Sequence, residues 1–233
     1  MSKGTLTKMQ GTMNSGVPTP IATVDLVLLT LRAGVLSVAL VRRDRPPFEG
    51  SFALPGGFVH VEEDEDLAAT ARRVLREKAG LAAPWLEQLY TFGGRNRDDR
   101  GWSISVSYLA LLPGLEPEPG REVIAVDELA HLPFDHSRIV EAAVARVRGK
   151  ATYSSLPAFL LPESFTLDEL QETYEQVIGQ ALDRGSFRRQ MDYQAFIEPV
   201  PGALRHPPGR GRPAQLYRLT GRKLKEFGRR VLA

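Results

Sequence analysis

The first half of the chain combines short apolar runs with two stretches in which apolar residues recur every three to four positions. The apolar runs are rich in β-branched residues and predict β-strands at residues 21–31, 35–43, 88–93, 103–112 and 123–126. The helical spacing predicts helices over residues 67–79 and 135–148, with Gly80 ending the first. Several strands accompanied by two helices indicate an α+β sandwich.

The pattern changes near Gly149–Pro157, where the periodicity stops, and we interpret this segment as a domain boundary. Beyond it, Thr166 and Glu169 form a capping-box pattern that predicts the start of a helix. The other predicted elements are a helix at 186–192, strands at 196–200 and 214–219, and a basic last helix at 221–232. Helix, turn, helix and hairpin in this order are typical of a winged helix-turn-helix domain.

Three segments follow from these patterns: a flexible N-terminal tail at residues 1–19, a domain at residues 20–150 and a winged helix domain at residues 151–233. No apolar run approaches the roughly 20 residues of a membrane span, and the first residues lack the apolar core of a signal peptide. Cysteine is absent, which excludes disulfide scaffolds and fits a reducing compartment. We therefore expect a cytoplasmic protein with no membrane partner.

Charge is distributed unevenly along the chain. The formal net charge is +2, but residues 1–182 carry a net charge of −6 and residues 183–233 carry a net charge of +8. A basic C-terminal part on an acidic body suggests a module that binds a polyanion. The alternative is a basic surface that only contacts solvent or another protein.

A glycine-rich segment leads through an acidic run into the first predicted helix. Gly57 follows the sequence LPG, and the helix carries Arg73 and Glu77 before it ends at Gly80. This segment resembles the box that defines the Nudix hydrolases, in which helix glutamates hold Mg²⁺ against a pyrophosphate. Carboxylates three and four positions apart share one helix face and suit a hard cation. The resemblance implies a Nudix α/β/α sandwich.

The box departs from the family pattern at two glutamate positions. Val74 replaces one glutamate and Lys78 replaces another, which removes a metal ligand and puts a positive charge beside the site. The stretch from Gly57 to Arg73 is two residues longer than usual, so we expect Glu65 in the position of the loop glutamate. We therefore predict a degenerate box that binds no metal and has no catalytic residues. Weak residual pyrophosphohydrolase activity stays open.

A polar loop at residues 96–102 precedes the strand with the sequence SVSY. It resembles the loop of Nudix members that recognise ADP-ribose and related dinucleotides, and an ordinary polar hairpin loop is the alternative. Arginine forks suit a diphosphate because they make bidentate contacts. The predicted ligand-binding residues are Arg97, Asp99, Arg100 and Lys78. The expected effector is ADP-ribose or NAD, and no cofactor is expected.

The C-terminal part, from the sequence FTLDELQETYEQ to GRPAQLYRL, resembles the winged helix of the Nudix-related transcriptional regulators of NAD metabolism, often called NrtR. The resemblance implies that these proteins bind a palindromic double-stranded operator as homodimers, because one recognition helix reads only a half-site. The residues that it assigns to DNA binding are Arg184, Ser186, Arg188 and Arg189 in the recognition helix and Arg210 and Arg212 in the wing. The basic C-terminal part adds Lys223 as a predicted phosphate contact.

Three functions remain open at this point. The leading hypothesis is a transcriptional repressor of NAD biosynthesis or salvage genes that senses ADP-ribose, or a related NAD metabolite, through a degenerate Nudix domain. The first alternative is an active ADP-ribose pyrophosphatase with an accessory domain. The second is a nucleotide-binding adaptor that does not contact DNA. Val74 and Lys78 discriminate the first two, and the basic C-terminal part argues against the third.

Overall fold

A mixed β-sheet forms the centre of the N-terminal half in the computed structural model, which describes residues 19–83, 85–206 and 211–228. Its main path runs in the order β3-β2-β1-β6-β5, while β4 pairs with β1 and β7 pairs with β2. The strands are β1 (Ile21–Arg32), β2 (Val35–Arg42), β3 (Phe52–Ala53), β4 (Gly56–Phe58), β5 (Leu86–Gly94), β6 (Ser103–Leu111) and β7 (Arg121–Ala125). The predicted hairpin is confirmed, with β1 and β2 antiparallel, and β1 also pairs in parallel with β6.

Helices cover both faces of this sheet. Successive residues of a strand point to opposite faces, and β1 is apolar on both. Leu26 packs in one cluster with Leu75 of α1 (Leu67–Ala79), whereas Leu29 packs in another with Ile139 of α2 (His136–Ala151). The sandwich predicted from the Nudix resemblance is therefore confirmed. None of the helices in the described ranges is long and apolar enough to cross a membrane.

The ends of α1 are fixed by local chemistry. The side chain of Asp66 accepts a hydrogen bond from the backbone N–H of Ala69 at 2.6 Å and so caps the N-terminus. Gly80 ends the helix with a φ of 65°, a left-handed conformation that glycine adopts without strain. The predicted extent of this helix is confirmed.

The C-terminal half contains two further helices and an antiparallel pair of strands. They are α3 (Leu167–Ile178), α4 (Arg184–Gln194), β8 (Ile197–Arg205) and β9 (Ala214–Leu219), and short 3-10 helices lie at Val126–Glu128 and Leu156–Leu160. The capping box is present, since Thr166 and Glu169 exchange side-chain-to-backbone hydrogen bonds of 3.1 and 2.8 Å. α4 begins earlier than predicted because Asp183 caps it, and β8 extends past its predicted end to Arg205.

The junction between the two halves is buried. α2 ends at Ala151, and the following residues Leu156 and Phe159 belong to the same apolar cluster as Val27 of β1 and Val177 of α3. The predicted boundary at residue 150 thus coincides with the end of α2 but lies inside a continuous core. The division into two domains stays a prediction. Within the described residues, no exposed linker separates the two halves at this boundary.

The predicted last helix is wrong over residues 221–228, which form no helix. Their backbone pairs with the junction instead: Ser155 N donates to Lys225 O at 2.9 Å, and Phe227 N donates to Tyr153 O at 2.6 Å. Burial of Phe227 accompanies this pairing, so long-range contacts outweigh the local helical pattern. Residues 229–232 of that prediction, and residues 1–18 of the predicted tail, lie outside the described residues.

Candidate ligand cavity and nucleic-acid interface

A cavity of about 300 Å³ opens where the glycine-rich segment meets α1. Charged side chains of both signs dominate its wall. It is lined by residues of β1 and β4, of the segment after β2, of α1 and of the 96–102 loop, among them Asp25, Arg43, Asp44, Gly57, Glu77, Lys78, Arg100 and His136. The cavity therefore brings together residues that are up to about a hundred positions apart in the sequence.

The box arginine is fully engaged within the protein. Arg73 makes a bidentate ion pair with Asp64, with Nε and Nη2 each 2.8 Å from a carboxylate oxygen. It also donates to the backbone carbonyl of Phe58 at 2.9 Å and to Glu77 at 3.2 Å. The hydrogen bonds from Arg73 hold the pKa of Asp64 well below its usual range. This arrangement ties the loop before α1 to the helix.

The loop carboxylate that pairs with Arg73 is Asp64, and the assignment of Glu65 to the position of the loop glutamate stays a prediction. A tight turn brings Asp64 within reach of Arg73, since Asp64 N donates to His60 O at 2.8 Å. The Asp64 carboxylate also accepts bonds from His60 N and from Thr70 Oγ1, both at 2.9 Å. Glu65 is exposed. Turn geometry, which a residue count does not capture, decides which carboxylate reaches Arg73.

The residues of the box do not fit a catalytic Mg²⁺. Val74 is only 1% exposed, and a Cβ at Gly57 would lie 2.9 Å from one of its methyl groups, so an apolar contact occupies this position. Glu77 is paired with Arg73, and Lys78 Nζ lies 3.4 Å from Asp44. Within the described ranges, no three His, Asp or Glu side chains form a group that could hold a metal ion.

Arg97 lies between the strands and α2, and its side chain is only 7% exposed. Its guanidinium donates to Asp135 at 2.9 and 3.2 Å and to Asp25 at 3.2 Å. Arg97 is therefore the centre of a buried ion-pair cluster at the cavity wall, and its predicted contact with the ligand stays a prediction. The Asp135 carboxylate makes no capping hydrogen bond at the start of α2 and pairs with Arg97.

Arg100 reaches the cavity. Its guanidinium makes a bidentate pair with Asp98 at 2.7 and 2.9 Å and lies 5.2 Å from the centre of the Phe58 ring. Asp99, predicted to act with Arg100, lines a neighbouring cavity of about 550 Å³ together with Phe48 and other side chains. The two cavities share Arg97 and Phe134 in their walls.

Sequence reasoning missed three residues of the cavity. Arg43 lies 4.9 Å above the Phe134 ring, and burial together with the nearby Arg100 guanidinium lowers its pKa. Asp25 is a charged residue within the apolar run of β1, a signal that could have indicated a buried ion pair. His136 accepts a hydrogen bond from Leu54 N at 3.1 Å, and burial lowers its pKa. No motif marks His136.

The residues predicted to bind DNA lie on exposed surfaces of the C-terminal half wherever the structure describes them. Arg184, Ser186, Arg188 and Arg189 are exposed and fall in the first two turns of α4. Arg184 and Arg188 pair with Asp168 of α3, while Arg189 donates to Ser186 Oγ at 3.0 Å. Arg212 and Lys223 are exposed, and Arg210 lies outside the described residues.

Comparison with known families agrees with both halves of this architecture. The NUDIX domain model matches residues 20–144, and the NrtR DNA-binding winged helix domain model matches residues 157–219. The chain is thus a Nudix-domain protein with a C-terminal winged helix. More narrowly, it belongs to the NrtR family.

Individual relatives support this assignment. The chain is 37% identical over 214 residues to the "ADPR responsive transcriptional repressor NtrR" of Acinetobacter baylyi, covering 88% of this chain and 84% of that protein. It matches the structure of Shewanella oneidensis NrtR complexed with a 27mer DNA with a TM-score of 0.78 and 38% identity, covering 85% of this chain and 93% of the other. The Nudix domain of that protein complexed with ADP ribose matches with a TM-score of 0.54 and 35% identity, over 57% of this chain and 92% of the other.

Proposed function

We propose that this protein is an ADP-ribose-responsive transcriptional repressor that binds double-stranded DNA through its winged helix. The observation that carries the proposal is a cavity with several arginines and a lysine in its wall, present in the same chain as a helix with exposed arginines. The Acinetobacter and Shewanella relatives support it, since the names of those proteins refer to ADP-ribose response and to DNA. The regulated genes we infer from the family resemblance are those of NAD biosynthesis or salvage.

The cavity suits a diphosphate that is held without a cation. Arg43, Arg100 and Lys78 each place a positive charge at its wall, and guanidinium groups bind phosphate oxygens in bidentate fashion. The neighbouring cavity adds the aromatic rings of Phe48 and Phe134, which suit a nucleoside. ADP-ribose and NAD share these groups, and we propose ADP-ribose as the effector, without a cofactor.

Pyrophosphatase activity is the alternative, and it requires a metal. Asp64 and Glu77 are both bound to Arg73, and Val74 offers no ligand. We therefore expect no appreciable hydrolysis of ADP-ribose in the presence of Mg²⁺. Turnover at the rate of ordinary enzymes, about 1–10³ per second, would instead support the hydrolase alternative.

α2 provides a physical connection between ligand and DNA. Asp135, directly before this helix, contacts Arg97 at the cavity, and Ala151 at its other end packs in the apolar cluster with Phe159. We propose that residues 20–150 sense the ligand, that residues 151–233 bind DNA, and that two copies of the chain bind a palindromic operator in the cytoplasm. A ligand that prefers the arrangement unfit for DNA must weaken operator binding, and operator DNA must weaken ligand binding by the same factor.

The proposal is tested by titrating ADP-ribose, and separately NAD, into a preformed complex with a duplex from the promoter beside the protein's own gene. We expect ADP-ribose to weaken DNA binding by about 5–150-fold, the usual range of such couplings. A complex that persists at saturating concentrations of both ligands would exclude the sensor role. Binding that shows no preference for any duplex sequence would favour the adaptor alternative.

A further inference from the structure

Asp168 lies in the first turn of α3, and its carboxylate joins two arginines of α4. Arg184 Nη2 lies 2.8 Å from each carboxylate oxygen, and Arg188 Nη2 lies 2.9 Å from Oδ1. Arg184 and Arg188 are four positions apart, so their side chains share one edge of the helix. One carboxylate thus fixes the positions of two of the four residues that we assign to the DNA-binding face of α4.

Stability does not explain this arrangement. The side chains of Asp168, Arg184 and Arg188 are 49%, 63% and 44% exposed, and ion pairs with such exposure contribute little to folding. A carboxylate beside a surface that binds a polyanion also opposes phosphate binding. Its presence is therefore unfavourable for DNA affinity in general.

Arg189 provides an internal contrast. It donates to the neutral hydroxyl of Ser186 and makes no ion pair with a carboxylate of the described residues, although its charge helps to lower the pKa of Asp183. Base edges are read by guanidinium groups held in a fixed orientation, whereas phosphates attract any nearby positive charge. Arg184 and Arg188 are held by a carboxylate and therefore suit contacts with base edges. The contact of Arg189 suits attraction to a phosphate.

We propose that Asp168 is a specificity-determining positioning residue of the DNA-binding surface. It holds Arg184 and Arg188 in the orientation needed for base contacts, and its charge weakens the phosphate attraction that all duplexes share. This inference rests on the proposed function, because it assumes that α4 reads DNA.

The test begins with the wild-type chain selecting duplexes from a random library. Dissociation constants for a selected and a scrambled duplex are then measured over a range of salt concentrations for wild type, Asp168→Ala and Asp168→Asn. Glu172→Ala is the matched control, because Glu172 is exposed on α3 one turn beyond Asp168 and the change removes the same charge.

For Asp168→Ala we expect tighter binding of the scrambled duplex and a log–log salt slope that steepens by about 0.9, the value of one phosphate contact. The ratio of selected to scrambled affinity should fall about tenfold, within the range of a lost base contact. Asp168→Asn keeps one acceptor oxygen, so it should share the steeper slope but lose less of the ratio. Glu172→Ala should leave the ratio unchanged.

An unchanged ratio in Asp168→Ala would overturn the inference. So would an equal loss of affinity for both duplexes accompanied by a lower melting temperature in both Asp168 variants, since that pattern indicates a structural role. A wild-type chain that selects no sequence from the library would instead contradict the proposed function itself. The two failures are therefore distinguishable.

Discussion

Arginines at the cavity and arginines on α4 contact carboxylates at the same distance but in different surroundings. Arg73 and Asp64 are 2.8 Å apart, with side chains 9% and 3% exposed. Arg184 and Asp168 are also 2.8 Å apart, with side chains 63% and 49% exposed. The difference in burial decides what each pair can do. A buried pair cannot be separated without leaving a charge in a medium of low polarity, whereas an exposed pair keeps its guanidinium within reach of DNA.

This comparison divides the positive charges of the protein into two groups. Arg73 and Arg97 are paired with buried carboxylates beside the cavity of the Nudix domain. Lys78 and Arg188 have exposed carboxylate partners and so remain within reach of a ligand or of DNA. Four substitutions test this division, and their expected effects decrease in the order given.

Arg97→Met should have the largest effect. It leaves Asp25 and Asp135, whose side chains are 8% and 11% exposed, without their shared partner. Breaking a buried ion pair in this way typically lowers the free energy of unfolding by about 3–5 kcal/mol, and urea unfolding measures it. Arg95→Ala, in the same loop but exposed, should change it by no more than about 0.5 kcal/mol. Equal small losses in both variants would contradict the assignment of Arg97 as a structural centre.

Lys78→Ala should weaken ADP-ribose binding without affecting folding. The partner that it leaves behind, Asp44, is 65% exposed and is hydrated once the lysine is removed. A hydrogen bond to a charged group contributes about 1.5–3 kcal/mol, so the dissociation constant measured by calorimetry should rise by about 10–150-fold. Arg76→Ala removes the same charge from an exposed position of α1 and is the control. If both variants weaken binding equally, only the overall charge matters and Lys78 does not contact the ligand.

The stability of the protein should fall as the pH decreases below 6.5, because of His136. Burial lowers the pKa of this histidine below its usual 6.5, and the carboxylates of Asp25 and Asp135 oppose this only in part. The unfolded chain therefore takes up a proton at a higher pH than the folded chain does. The free energy of unfolding should fall by up to about 1.4 kcal/mol per pH unit in this range.

His136→Gln should flatten this profile, since glutamine keeps an acceptor for Leu54 N and does not titrate. His131→Gln removes an exposed histidine and should leave the slope as it is in the wild type. Urea unfolding at several pH values between 7 and 5.5 measures both slopes. Parallel profiles for the wild type and His136→Gln would show that another group causes the acid sensitivity.

The sequence predicted the secondary-structure elements better than it predicted which side chains pair with one another. Apolar spacing located α1 and both strands of the first hairpin because these patterns follow from local geometry. It could not predict that Asp64 and not Glu65 pairs with Arg73, because a turn of five residues decides which carboxylate is within reach. Nor could it predict that Arg97 is buried, since Asp25 lies 72 positions away and meets it only through the fold.

Contacts between distant segments also explain why the last predicted helix is wrong. Residues 221–228 have a helical pattern, but they pair with the junction around Ser155, a contact between segments about 70 residues apart. Local propensity is a weak preference that such contacts override. Phe227 shows the result, since it is buried against the helices of the winged domain and not exposed on a basic tail.

The smallest effect is expected for Lys223→Ala, which concerns the exposed part of this same segment. Lys223 is exposed and lies outside α4, so we expect it to contact phosphate and not a base edge. Its removal should weaken a selected and a scrambled duplex by the same factor and make the log–log salt slope shallower by about 0.9. Arg188→Ala, by contrast, should lower the ratio of selected to scrambled affinity, because a base contact contributes about 1–3 kcal/mol of discrimination. A change of that ratio in Lys223→Ala would place sequence recognition outside α4 and so break the distinction between a helix that reads bases and a segment that supplies only charge.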